Sequence, residues 1–146
     1  MNKEAPDIDS DGRLNVISAG AIGEPVRYAL YAEKEGVVAM GRLVVNPIKG
    51  DDKGCHLQAI RAMGSAEIVL MEGTGFTPKT TITLFSVTTG KPQAAKLKTD
   101  ENGRLETVAV LMKQGETQGT AEITMKSESC APSVRFKWGK DTYQVQ

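Results

Sequence analysis

Aromatic residues are scarce in this chain: its 146 residues include one Trp, three Tyr and three Phe. Sandwich domains that bind carbohydrate depend on exposed aromatic platforms, and single-strand nucleic-acid binders need stacking rings inside a basic groove. A basic groove is not indicated either, because 18 Lys and Arg residues balance 18 Asp and Glu residues and the net charge is zero. Composition therefore gives no support for nucleic acid as a partner.

Long apolar runs are absent as well. The longest, "EIVLM" and "GRLVV", fall far short of the roughly 20 residues that span a bilayer as a helix. No membrane span is predicted. The N-terminus also lacks the apolar stretch of a signal peptide. It is the start of a cytoplasmic protein or of a mature chain whose export signal has been removed, and the residues leave both open.

Catalytic groups are few. There is one histidine, His56, and the alternation in "CHLQAI" places it on the outward face beside Gln58. No Gly-x-Ser-x-Gly elbow accompanies it, and two cysteines without a Cys-x-x-Cys pair make a poor zinc site. We therefore predict a protein that is not an enzyme, with no catalytic residues and no cofactor.

Three aspartates at alternate positions, Asp7, Asp9 and Asp11, resemble the start of a calcium-binding loop. An EF-hand loop beginning there would need a bidentate glutamate at its twelfth position, which is Ser18. The phrase "DSDGRL" also recurs from Asp100 as "DENGRL", where a turn leading into a strand fits best. A polar turn without a metal site is therefore predicted, and weak calcium binding by the three aspartates is the alternative.

Alternation of apolar and polar residues dominates the rest of the chain. In "AEITM" and "VRFKW" every second side chain is apolar, which is typical of antiparallel strands with one buried face. Trp138 and Phe136 then point inward. Turn-forming residues separate the strands; Asn102-Gly103 predicts a tight hairpin, and residues 46–54 predict a turn. The predicted strands cover residues 37–45, 55–60, 67–71, 81–87, 94–99, 105–112, 121–125 and 134–138.

The stretch "EPVRYALYAEKE" fits two interpretations. A helix would have Pro25 in its first turn and would end at Gly36. A strand would turn Val26, Tyr28 and Leu30 inward and would continue through a Glu-Lys-Glu-Gly turn into the next strand. The two tyrosines and this hairpin-like continuation favour the strand.

Part of the chain resembles a known family. The stretches "LMEGTGFTPKTTITLFSV", "KLKTDENGRLETVAVL" and "QGTAEITMKS" are similar to bacterial immunoglobulin-like domains, including those of the IPT/TIG type, over about residues 66–127. The resemblance implies an all-β fold, an antiparallel immunoglobulin-like β-sandwich, to which the N-terminal 60 residues would add extra strands. It implies structural roles, and no active site, for the matching positions, which are Gly73, Gly75, Phe76, Pro78, Asp100, Gly103, Gly119 and Thr120.

These observations predict a polar N-terminal tail or turn at residues 1–15 and a single β-sandwich domain at residues 16–146. For its function we expect a non-catalytic immunoglobulin-like module of a bacterial secreted or cell-envelope protein, acting in adhesion, assembly or spacing. Its partners would be another protein or neighbouring envelope domains. The alternative is a ligand-binding sandwich for calcium or carbohydrate.

The two cysteines, Cys55 and Cys130, are predicted to form a disulfide. Each belongs to a structured segment and lies beside turn residues, Gly54 in one case and Pro132 in the other, as a link between strand ends would require. An even number of cysteines fits a protein outside the cytosol, in the extracellular space, the periplasm or the cell envelope. In the cytoplasmic alternative both would remain free thiols.

Overall fold

The computed structural model describes residues 10–11, 23–32, 34–44, 46–62, 68–88, 92–111 and 115–139. Within these ranges the chain forms ten strands and no helix, where the sequence predicts nine strands. No helix long and apolar enough to cross a membrane occurs in them. The strands are β1 Pro25–Ala32, β2 Val37–Val44, β3 Ile48–Asp52, β4 Cys55–Arg61, β5 Ile68–Thr74, β6 Thr81–Thr88, β7 Gln93–Lys98, β8 Leu105–Val110, β9 Gln118–Lys126 and β10 Ser133–Gly139.

The strands form three antiparallel sheets. One four-stranded sheet has the order β3-β4-β5-β8, the other has the order β10-β9-β6-β7, and β1 and β2 form a separate two-stranded sheet. The prediction of an all-β fold with antiparallel sheets is therefore confirmed, and the helix alternative for β1 is wrong. The predicted boundary between residues 15 and 16 lies outside the described residues.

A single apolar core lies between the two four-stranded sheets. In β4, Cys55, Leu57 and Ala59 are buried whereas His56 is exposed, which confirms the predicted alternation. Phe136 and Trp138 on β10 also point inward, as predicted. Burying one large apolar side chain contributes about 1.5–3 kcal/mol, so these inward faces hold the two sheets together. The other core members are Ile48, Val69, Met71, Phe76, Ile82, Leu105, Leu111, Ala121, Ile123, Met125, Cys130 and Val134.

The turn from Asp100 to Arg104 links the two sheets. The prediction of a tight hairpin at Asn102-Gly103 is wrong, because β7 pairs with β6 and β8 pairs with β5. The Asp100 carboxylate accepts hydrogen bonds from the backbone N–H groups of Asn102 and Arg104, both at 2.8 Å. Gly103 has a φ of 71°, and a Cβ there would lie 1.9 Å from the Phe76 carbonyl oxygen, so glycine is required.

Strand β3 occupies residues that the sequence predicts as a turn. Only Lys53 and Gly54 form the turn between β3 and β4, both with positive φ, as a two-residue hairpin loop demands. Gly50 brings β3 unusually close to β10, because a Cβ at this position would lie 1.9 Å from the Ser133 carbonyl oxygen. The Gly and Asp residues of β3 suppress the strand signal, although Gly50 is required here for close backbone approach.

The structure contains the predicted disulfide between Cys55 and Cys130. Their Cα atoms lie 6.2 Å apart, and 75 positions separate them in sequence. The bond ties the start of β4 to the turn before β10, and both cysteines are buried. Beside it, the Asp52 carboxylate accepts a hydrogen bond of 2.7 Å from the Ala131 backbone N–H. These two links fasten one corner of the two sheets.

Candidate interaction surface

The two-stranded sheet is the most unusual surface of the molecule, and we call it the arm (Pro25–Val44). Its strands pair in register from Pro25 opposite Val44 to Ala32 opposite Val37. At the tip the Gly36 backbone N–H donates a hydrogen bond of 2.9 Å to the Ala32 carbonyl oxygen, and Gly36 adopts a positive φ of 64°. The arm is therefore a regular hairpin with a four-residue loop.

Among the described residues, few contacts connect the base of the arm to the two large sheets. The Gly23 N–H donates to the Asn46 carbonyl at 3.2 Å, and the Gly23 carbonyl accepts from the Arg61 N–H at 2.8 Å. A Cβ at Gly23 would lie 2.8 Å from the Ile48 Cδ1, so the glycine also allows close packing at this junction. Further along, the Arg42 guanidinium lies 3.5 Å from a carboxylate oxygen of Glu72 on β5. These contacts fix where the arm emerges, but they bury little of it.

One face of the arm carries no charged side chain. Residues directly opposite each other in an antiparallel pair share a face. The register therefore groups four apolar pairs on this face, which we call the uncharged face: Val26 with Leu43, Tyr28 with Gly41, Leu30 with Ala39, and Ala32 with Val37.

The opposite face holds one charged pair near the base, Arg27 with Arg42. Beyond it the pairs are again apolar: Ala29 with Met40, and Tyr31 with Val38. The half of the arm farthest from the base is consequently apolar on both faces. We call it the distal half, residues 29–32 and 37–40.

These apolar side chains are exposed to solvent. Met40 has 83% of its surface exposed and Tyr31 63%. The prediction that Leu30 turns inward is wrong, since it is 42% exposed, whereas Val26 and Tyr28 are half-buried. The reason is that the two four-stranded sheets already fill each other's inward faces, and the arm pairs with neither of them.

The exposed apolar area of the arm is large for a protein of this size. Six of its large side chains are at least two-fifths exposed: Leu30, Tyr31, Val37, Val38, Met40 and Leu43. Three of the six lie on each face of the arm, and together they present on the order of 600 Å², about half of it on each face. The largest patch on a monomeric protein is usually about 300–600 Å² and is often functional.

A second, smaller apolar patch lies on the outward face of the β3-β4-β5-β8 sheet. Val108 and Val110 on β8 are 58% and 65% exposed, next to the half-buried Leu70 and Ile68 of β5. On the same face nearer the turns, Glu72 lies directly opposite Glu106. Arg42 contacts the first of these carboxylates and Arg104 lies 3.9 Å from the second.

The single histidine lies in a polar, open environment. His56 Nδ1 and the Asp51 carboxylate are 2.5 Å apart, directly opposite each other on β4 and β3, and both side chains are exposed. They border a shallow depression together with Lys49, Gln58 and Glu72. The residues at this depression include no serine or cysteine nucleophile. The geometry accounts for a surface hydrogen bond between these two side chains.

The remaining sequence-predicted residues do not form a site in the described ranges. Asp7 and Asp9 lie outside them, and Asp11 is an exposed turn residue. No group of three or more His, Cys, Asp or Glu side chains that could hold a metal ion occurs among the described residues. Trp138 and Phe136 are buried in the core, so neither offers a platform for a sugar ring.

The exposure of the arm was missed at the sequence level, although a signal for it exists. The stretch "VVAMGRLVV" is nearly continuous in apolar residues, unlike the alternating strands of the two large sheets. Continuous apolar runs are typical of strands that are covered on both faces. The pattern thus indicates a strand that needs two covering layers, and the part of the chain that the structure describes supplies neither to the distal half.

Comparison of the chain with known protein families, with curated proteins and with solved structures finds no match to any of them.

Proposed function

We propose that this protein is a non-catalytic structural or interaction module of a secreted or cell-envelope protein, and that it binds a protein partner through the arm. The observation that carries the proposal is the distal half, which is apolar on both faces and exposed. Exposed apolar patches of this size commonly mark interaction sites.

The physics of hairpins supports the same role. An isolated two-stranded hairpin is marginally stable in water, and stable sheets need a third strand or a covering layer. Each edge of the arm also leaves backbone N–H and C=O groups unpaired, because no other described strand pairs with β1 or β2. A protein partner would supply the missing cover and would bury the apolar side chains.

An immunoglobulin-like architecture is part of the proposal. The strand orders β4-β5-β8 and β10-β9-β6-β7 correspond to the orders A-B-E and G-F-C-C′ of immunoglobulin-type sandwiches. The disulfide departs from the antibody pattern, since it joins the first of these strands to the turn between the last two rather than linking strands B and F. In this arrangement β3 and the arm are additions at the N-terminal side.

The disulfide also supports a location outside the cytosol. Such bonds persist in secreted proteins, in the periplasm and on cell surfaces, whereas cytosolic thiols are kept reduced. In those compartments immunoglobulin-like modules act in adhesion, assembly or spacing, which are roles that depend on protein contacts.

Site-specific photocrosslinking in cells that express the protein tests the proposal. A benzoylphenylalanine at Met40 should form covalent adducts with protein on illumination. The matched control is the same group at Val108, which is also well exposed but lies on β8. Adducts from the arm but not from the control are expected. No adducts from Met40, or equal adducts from both positions, would contradict a binding role for the arm.

A further inference from the structure

The chemistry of the arm restricts which surface can cover it. Its distal half contains no charged side chain on either face. The charged residues nearest to it in sequence are Arg27 and Arg42 toward the base and Glu33, Lys34 and Glu35 in the tip loop. Two identical surfaces that meet about a two-fold axis bring like groups together, so a charged patch would repel its own copy. The distal half carries no such penalty.

The unprotected strand edges of the arm also favour contact with a second chain. Natural proteins protect exposed strand edges with Lys, Pro or bulges that prevent pairing with other chains. The edge strand β7 carries Lys96 and Lys98. The distal halves of β1 and β2, "ALYA" and "VVAM", hold no such residue. The arm is therefore open to strand pairing and to apolar packing at once.

The exposed apolar area of the arm determines the size of a contact between two arms. Two arms that pack face to face bury one face of each, which holds three of the six large side chains, so together they remove on the order of 600 Å² from water, the size of a weak, transient contact. The interface should accordingly be reversible and sensitive to concentration.

We infer that the arm binds the arm of a second copy of this chain, so that the protein associates through an isologous contact between distal halves. This inference rests on the proposed function, because it names the partner of the same surface. The Arg27–Arg42 pairs stay outside the contact and mark its limit toward the sandwich.

Sedimentation equilibrium of the purified chain over a range of concentrations provides the test. The wild-type chain should dimerise. Met40→Glu and Met40→Lys, each placing like charges on both copies, should each raise the dimer dissociation constant at least about tenfold. An equimolar mixture of the two variants should regain the dimer, because unlike charges then meet. Val87→Glu, at an exposed valine of β6, is the matched control and should leave the dimer intact.

Folding does not confound these variants. Met40 is 83% exposed, so both substitutions should leave the melting transition of a dilute sample unchanged. A wild-type chain that stays monomeric at every concentration would overturn the inference, and so would a dimer that survives both Met40 variants. In the first case, adducts between Met40 and a different protein in cells would leave the proposed function standing. Absence of both the dimer and the adducts would contradict the inference and the proposed function alike.

Discussion

The two large sheets and the arm are built from the same kind of antiparallel pairing, yet they differ in what covers their side chains. In β4 and β10 polar and apolar residues alternate, and the apolar ones are buried against the opposite sheet. In the arm the apolar residues occupy both faces, and most stay exposed. The two large sheets bury their apolar side chains against each other, whereas the arm leaves most of its apolar side chains exposed.

The difference shows that backbone pairing and side-chain burial are separate requirements. Eight cross-strand pairs organise the arm, more than the seven that β9 and β10 share in the large sheets. What it lacks is the opposing layer that supplies most of the free energy of folding in the sandwich. Predictions for the two regions therefore diverge even where the substitution is the same.

The largest expected effect concerns the disulfide, which belongs to the sandwich alone. The loop between Cys55 and Cys130 covers 75 positions, and the chain-entropy account assigns at most about 4–5 kcal/mol to a loop of this size. Urea unfolding with and without reductant should show this loss in the free energy of unfolding. On reduction, a chain that lacks residues 26–43 should lose the same free energy of unfolding as the intact chain. A loss seen only in the intact chain would show that the arm contributes to the stability of the sandwich.

Two methionines compare the regions directly. Met125 is fully buried between the sheets and Met40 is almost fully exposed, so Met125→Ala should cost about 2–5 kcal/mol of unfolding free energy. For Met40→Ala we expect a change within about 0.5 kcal/mol in a dilute sample. Chemical denaturation measures both. Similar losses at the two positions would mean that the arm is buried in the monomer.

Two strand glycines extend the comparison. Gly50→Ala in β3 places a Cβ 1.9 Å from the Ser133 carbonyl oxygen, and because backbone atoms cannot move aside cheaply, about 1–3 kcal/mol should be lost. Gly41→Ala in the arm meets no atom within 4 Å. It should be neutral, or stabilising by up to about 1 kcal/mol through the unfolded chain. Thermal melts of both variants measure these stability changes. An unchanged melting temperature for Gly50→Ala would contradict the close approach of β3 and β10.

The smallest effect is the acid dependence of the turn between the sheets. Hydrogen bonds from the backbone N–H groups of Arg104 and Asn102, together with the nearby Arg104 charge, lower the pKa of Asp100. Because the folded pKa lies below the unfolded one, the carboxylate stabilises the fold fully above about pH 4 and loses this contribution as the pH falls through the lowered value.

Asp100→Asn keeps an acceptor oxygen but has no charge, so it is the variant that isolates this effect. The stability difference between wild type and variant should shrink on acidification below about pH 4. A difference that stays constant down to about pH 2 would show that the charge contributes nothing to this turn.

Much of the sandwich could be predicted from sequence because alternation reports burial on one face. The pattern identified β4, β9 and β10 and the inward position of Trp138, and the paired cysteines indicated the bond that joins the two sheets. Strand β3 was missed because close backbone approach selects glycine at position 50, which weakens the local strand signal.

The hairpin predicted at Asn102-Gly103 failed for a different reason. Turn residues specify a local change of direction, but they do not say whether the next strand returns to the same sheet or crosses to the other. The continuous apolar pattern of the arm has a similar limit. Periodicity indicates which apolar side chains require burial. What buries them depends on long-range packing or on another molecule.

Hydrogen exchange at low and high protein concentration tests the central claim, which is that the arm is exposed in the monomer and that a partner buries its apolar side chains. In dilute solution, arm amides should exchange far faster than those of β5 and β9, because local opening of a bare hairpin costs little. At high concentration the arm should become protected in the wild type but not in Met40→Glu, with β5 and β9 unchanged. Arm amides as protected as β5 and β9 at every dilution, or unaffected by concentration, would contradict the account.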